Sequence, residues 1–92
     1  MNKCGDFLKK SREAQNLSQK DVASFFEYNT PQFISNWERG LSLPPVPTIR
    51  KLAKLYKISA EKLFELILEE QLFLTEKSLR EKFEEDKKRK RS

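Results

Sequence analysis

Residues 18–40 read SQKDVASFFEYNTPQFISNWERG, and their punctuation describes two short helices joined by a tight turn. Ser18 is placed as a helix cap, and Val22, Ala23 and Phe26 share one side of the helix that it opens. That helix runs out in the turn-like pair Tyr28 and Asn29. Thr30 and Pro31 open the second helix, a capping hydroxyl followed by the proline that suits a first helical position, and Gly40 closes it. At about 100° per residue the second helix, residues 31–39, separates into two faces. Phe33, Ile34 and Trp37 fall on one side as core; Gln32, Ser35, Asn36 and Arg39 fall on the other, three and four residues apart.

The polar side has the composition of a surface that reads nucleic-acid bases. Glutamine and asparagine can each pair in a bidentate way with an adenine edge, serine adapts, and arginine reaches guanine or a phosphate. A solvated edge of an amphipathic helix has the same composition, so spacing alone leaves both readings open. Glu38 is more telling, because the projection turns its carboxylate inward beside Ile34 and Trp37. A buried carboxylate needs a partner. Arg12 is the best candidate, on a first helix whose inward positions are Cys4, Leu8 and Ser11, and its guanidinium fork can satisfy both carboxylate oxygens. An exposed, unpaired Glu38 is the alternative.

These residues carry a family resemblance. The segment from about Phe7 to Phe64 resembles the Cro/C1-type helix-turn-helix domain, the XRE family of phage repressors and bacterial regulators. The matching pieces are Leu8-Lys9-Lys10-Ser11-Arg12, Leu17-Ser18-Gln19, Val22-Ala23, residues 34–40 (ISNWERG), Pro44-Pro45 and residues 49–53 (IRKLA). The resemblance implies a compact, all-α, five-helix lambda-repressor-like DNA-binding domain. It implies base contacts from Gln32, Ser35 and Asn36, and backbone contacts from Ser18, Gln19, Lys20, Thr30, Arg39 and Ser42. Gln19 looks like the family glutamine that touches a phosphate and braces the recognition helix, and Arg12 with Glu38 looks like the pair that ties the first helix to it. Two features depart from the family pattern. Residues 27–29 fill a turn one residue longer than the common form, with Asn29 best suited to left-handed backbone. The loop Leu41-Ser42-Leu43 lacks the basic residues of some relatives, which leaves Lys10, Lys20, Lys51 or backbone amides to hold phosphates.

Length and charge set bounds on function. Ninety-two residues make one small domain and an appendage, too little core for a large substrate cavity. The chain has no histidine and only Gly5 and Gly40, so the commonest general base and any glycine-rich phosphate loop are missing. Catalysis, a cofactor and a metal site are not expected. Cys4, the one cysteine, excludes an internal disulfide and reads as core. No stretch is long and apolar enough for a membrane span or signal peptide, so the expected location is the cytoplasm, on the nucleoid when bound. A net charge of +5 suits a polyanion such as double-stranded DNA.

Beyond the two helices, the pattern predicts a first helix over about residues 3–15, closed by Asn16. A fourth starts near Pro47 after a proline-bearing loop and buries Ile49, Leu52, Ala53 and Tyr56. A fifth, capped by Ser59, buries Leu63, Phe64 and Ile67. Domain one is then residues 1–67. Residues 68–86 form a helical appendage in which Thr75 caps an extra amphipathic helix bearing Leu79 and Phe83. Residues 87–92 form a basic tail that either lengthens a DNA footprint or lies disordered in solvent. The appendage either folds back as a lid or pairs with a second subunit. One helix reads too few base pairs to select a site from a genome, whereas a two-fold dimer reads two half-sites. The expectation is therefore a transcriptional regulator, a repressor binding an inverted repeat as a homodimer through residues 31–39. The alternative is an antitoxin or adaptor that meets a protein partner through the apolar run at residues 66–74.

Overall fold

Four of the five helices stop on a residue in left-handed backbone. The computed structural model describes residues 2–90 and orders them as α1 (Lys3–Ala14), α2 (Gln19–Phe25), α3 (Gln32–Arg39), α4 (Val46–Tyr56) and α5 (Ala60–Lys90). The first four are followed by Asn16, Glu27, Gly40 and Lys57, with φ of 56°, 60°, 76° and 58°. In each case the next N–H reaches back five residues: Leu17 to the Arg12 carbonyl, Tyr28 to Ala23, Leu41 to Asn36 and Ile58 to Ala53. This closure gives partners to carbonyls that a helix end leaves unbonded. The residue that makes it is apolar every time. Leu17, Tyr28 and Ile58 also pack on the core, while Leu41 stays exposed.

The turn between α2 and α3 corrects one expectation. Glu27, not Asn29, takes the left-handed position, because the closing bond from Tyr28 and the packing of its ring fix which residue must turn. Local preference favours asparagine there, but tertiary docking outweighs a penalty of about 1–2 kcal/mol.

All five helices contribute to one core: Cys4 and Leu8 from α1, Val22 and Ala23 from α2, Ile34 and Trp37 from α3, Ile49, Leu52 and Tyr56 from α4, Leu63 and Ile67 from α5. Most starts follow local chemistry, but α3 opens one residue later than expected, at Gln32, with Pro31 as its cap position rather than its first residue and no side-chain cap hydrogen bond there. Ser18 and Asp21 cap α2 reciprocally, the Ser18 hydroxyl accepting the Asp21 N–H and the Asp21 carboxylate accepting the Ser18 N–H. Ser59 Oγ accepts the Lys62 N–H at the start of α5, and Pro47 sits in the first turn of α4. Two expected core residues are not core. Phe33 is 55% exposed, its ring leaning on Tyr28 at 5.0 Å between centroids, and Phe64 is 41% exposed. Each lies at the margin of its helix's inward arc, where periodicity cannot say how far the neighbouring helix reaches.

α5 departs furthest from expectation. The expected break at Thr75 is absent: the helix runs 31 residues, and Thr75 Oγ1 accepts a hydrogen bond from Gln71 Nε2 in mid-helix. Neither glycine nor proline occurs after Pro47, so nothing in the sequence forces a stop. The extra C-terminal helix is thus the continuation of α5, and it does not fold back as a lid. Residues 71–89 are all exposed, and the molecule measures 56 Å along its longest axis against 27 and 21 Å across. Residues 87–90 of the basic tail form the last helical turn, where cations oppose the helix dipole favourably, and residues 91 and 92 lie outside the described residues.

Candidate nucleic-acid interface

Glu38, in the last turn of α3, anchors that helix to two others. Arg12 of α1 donates from Nε to one carboxylate oxygen at 2.7 Å and from Nη2 to the other at 3.0 Å; Gln19 of α2 adds a bond from Nε2 at 3.0 Å. Arg12 spends a third donor, Nη1, on the Leu17 carbonyl at 2.8 Å. Both charged side chains are buried, at 10% and 4% exposure, and such a pair is tolerated only when its remaining donors and acceptors are satisfied. Among the described residues no fully buried side-chain nitrogen or oxygen lacks a partner. The hydrogen bond to Glu38 raises the affinity of Arg12 for its proton, and burial followed by the Glu38 charge keeps the nearby Tyr56 a neutral phenol well above its usual range.

A second tie comes from a residue that periodicity overlooks. Asn2 caps α1, its Oδ1 accepting the Gly5 N–H at 3.2 Å, and its Nδ2 donates to the Glu38 backbone carbonyl at 2.7 Å. Gly5 is buried at this crossing. A Cβ there would collide with the Glu38 carbonyl and the Asn2 side chain, so glycine lets α1 and α3 approach. An asparagine directly ahead of a helix, followed by a glycine in its first turn, is the sequence signal that marks this crossing.

Held in this way, α3 buries Ile34, Trp37 and Glu38 and turns its other side outward. Trp37 meets the rings of Phe26 and Tyr28 edge-on, both at 6.3 Å. Gln32 and Arg39 are exposed at the two ends of α3, and Ser35 and Asn36 are half-buried between them. Gln32 Nε2 donates to Asn36 Oδ1 at 2.8 Å. This bond fixes the Asn36 amide plane, while its NH2 group and the second lone pair of Oδ1 stay available. Phe33 sits beside this edge, exposed.

The residues expected to hold a DNA backbone lie at the start of α2, just before α3, at its last residue and just after it. Ser18, Lys20, Thr30 and Ser42 are exposed and Gln19 is half-buried. The Ser18 hydroxyl oxygen is engaged in the cap of α2, and Thr30 Oγ1 accepts the Gln32 N–H at 3.3 Å, so each hydroxyl keeps its own proton to donate. Gln19 has one amide proton on Glu38 and one left to give.

The fold is that of a helix-turn-helix head. A helix-turn-helix family model matches residues 8–63, more than half of the chain, and the chain belongs to that family, of the Cro/C1 or XRE type. Comparison with curated proteins found no match, and neither did comparison with solved structures. Membership makes the chain a DNA-binding transcriptional regulator of a non-enzymatic family. Among the described residues, no helix is long and apolar enough to cross a membrane.

Proposed function

We propose that the protein is a sequence-specific repressor that binds an inverted-repeat operator as a homodimer, with one α3 in each half-site. The observation that carries this reading is the outward edge of α3, polar and pre-oriented, on a helix whose inward side is fixed by Glu38, Trp37 and Ile34. Asn36 is the adenine reader: its NH2 group donates to N7 while Oδ1 accepts from N6, and Gln32 holds it in register. Gln32 and Ser35 read neighbouring bases, and the ring of Phe33 suits a thymine methyl. Arg39 holds the DNA backbone with Ser18, Gln19, Lys20, Thr30 and Ser42, contacts that position the helix without carrying sequence information. The antitoxin or adaptor reading is not favoured by the family match.

Selection of bound duplexes from a random pool tests the proposal. The expected product is one enriched motif with two inverted half-sites about 10 base pairs apart, containing adenine at a fixed position. Recovery of sequences with no shared motif overturns it.

A further inference from the structure

The exposed side of α5 carries a continuous apolar stripe that begins on the head and runs out along the projecting half. Phe64, Leu68, Leu72, Thr75, Leu79 and Phe83 follow one another at intervals of four, four, three, four and four residues. Phe64 and Thr75, Leu68 and Leu79, and Leu72 and Phe83 are each eleven apart, a repeat that keeps a stripe on one side of nearly straight, slightly right-handed paired helices. Leu72, Leu79 and Phe83 are all more than 60% exposed. Leu63 and Ile67, buried in the head, fall outside the stripe and centre roughly 130° from it around the same helix, with Phe64 at the border between the two.

Charge identifies what covers the stripe. Residues 60–76 carry one basic and five acidic side chains, a net charge of −4, whereas residues 77–92 carry eight basic and four acidic, a net charge of +4. One edge of the stripe shows the same division, with Glu65, Glu69 and Glu76 towards the head and Arg80 and Lys87 towards the tip. A second copy laid parallel would set acid against acid and base against base. Laid antiparallel, it sets the net-acidic half of each helix against the net-basic half of the other, and it also opposes the helix dipoles favourably.

We propose that a second copy of this chain pairs with α5 in antiparallel orientation, Leu68 facing Leu79 and Phe64 facing Phe83. In that register the two Leu63 positions lie roughly 30 Å apart along the pair, at about 1.5 Å per residue. One turn of DNA is about 34 Å, so the pair doubles as a spacer between heads. That functional consequence rests on the reading of α3 as a half-site reader, and the pairing itself does not.

Two DNA-free measurements test the pairing on the full chain. In sedimentation at tens of micromolar the protein is expected at twice 10.9 kDa, and Leu72→Glu with Leu79→Glu is expected at 10.9 kDa with the Trp37 fluorescence spectrum unchanged. Under mild oxidation, Leu68→Cys and Leu79→Cys chains are each expected to stay unlinked alone and to form a disulfide when mixed. The native thiol stays out of this exchange, because Cys4 is buried and its pKa is pushed up to about 11, chiefly by desolvation. A monomeric native chain, a dimer that survives both glutamates, or self-linking of either single cysteine overturns the proposal. None of these results bears on α3, whereas an intact antiparallel dimer that selects no DNA sequence sinks the half-site reading alone.

Discussion

The two halves of α5 are one helix under two regimes. Up to Ile67 it is held by burial, with Leu63 and Ile67 seated in the same core cluster as Tyr56 and Leu8. From residue 71 onward every described side chain is exposed, and what holds the helix is local: Glu76 with Arg80 at 2.8 Å, Lys87 with Glu84 at 3.9 Å, and Lys87 over the Phe83 ring at 5.5 Å. Exposed pairs of this kind contribute a few tenths of a kcal/mol each. The head therefore draws its stability from tertiary contacts, while the projecting half depends on helix propensity, its own charge pattern and whatever covers its stripe. Substitutions should register very differently in the two places.

The largest effect belongs to the head. Glu38→Ala leaves Arg12 buried without its partner, and urea denaturation should show a loss of about 3–5 kcal/mol. An effect below about 0.5 kcal/mol would mean that the pair contributes no more than a surface contact. Gly5→Ala presses a methyl against the Glu38 carbonyl where α1 crosses α3, and should lower stability by about 1–3 kcal/mol in the same measurement.

The exposed edge of α3 separates stability from function within the head. Gln32→Ala and Asn36→Ala should leave the denaturation midpoint almost unchanged while each removes about 1–3 kcal/mol of discrimination at an adenine-containing position. Because Gln32 orients the Asn36 amide, the two losses should fall short of additive in a double-mutant cycle. Lost folding, or full additivity with unchanged base preference, would break this division between inward and outward sides.

Smaller effects sharpen the comparison. Glu27→Gly relieves a left-handed glutamate and should raise the stability of the head by up to about 1 kcal/mol, since glycine adopts that conformation without steric conflict but loses more entropy on folding. Arg80→Ala, in the projecting half, should stay within about 0.5 kcal/mol of the parent in the same urea experiment. A larger loss there would show that the far half of α5 is coupled to the head's cooperative unfolding.

Much of the head was legible because its signals are local and categorical. Ser18, Ser59 and Gly40 mark ends of helices through groups that few other residues supply, and the inward carboxylate of Glu38 forces a search for a cation that ends at Arg12. The misreadings share a different cause. Phe33, Phe64 and Glu27 each depend on how far a neighbouring element extends or where a ring docks, and no periodicity within one helix contains that information. Thr75 misled because a threonine ahead of charged residues looks the same as a cap and as an interior position; the absence of glycine and proline after Pro47 was the better guide. The role of Asn2 is not legible in the sequence because its second partner, the Glu38 carbonyl, is 36 residues away.

The sequence alone was enough to read an all-helical chain, the start of each of the five helices to within a residue, the closure of α1 at Asn16 and of α3 at Gly40, most of the core apart from Phe33 and Phe64, and the glutamine, serine and asparagine on one edge of α3. It was enough because capping, periodicity and the desolvation of a charge act over a few residues. Tertiary packing was needed to establish that Asn2 and Gly5 set the approach of α1 to α3, that Phe33 faces outward, and that the apolar stripe of α5 beyond the core stays exposed. Those outcomes follow from distances between segments far apart in the chain, where packing chooses among conformations that local preference leaves nearly equal in energy.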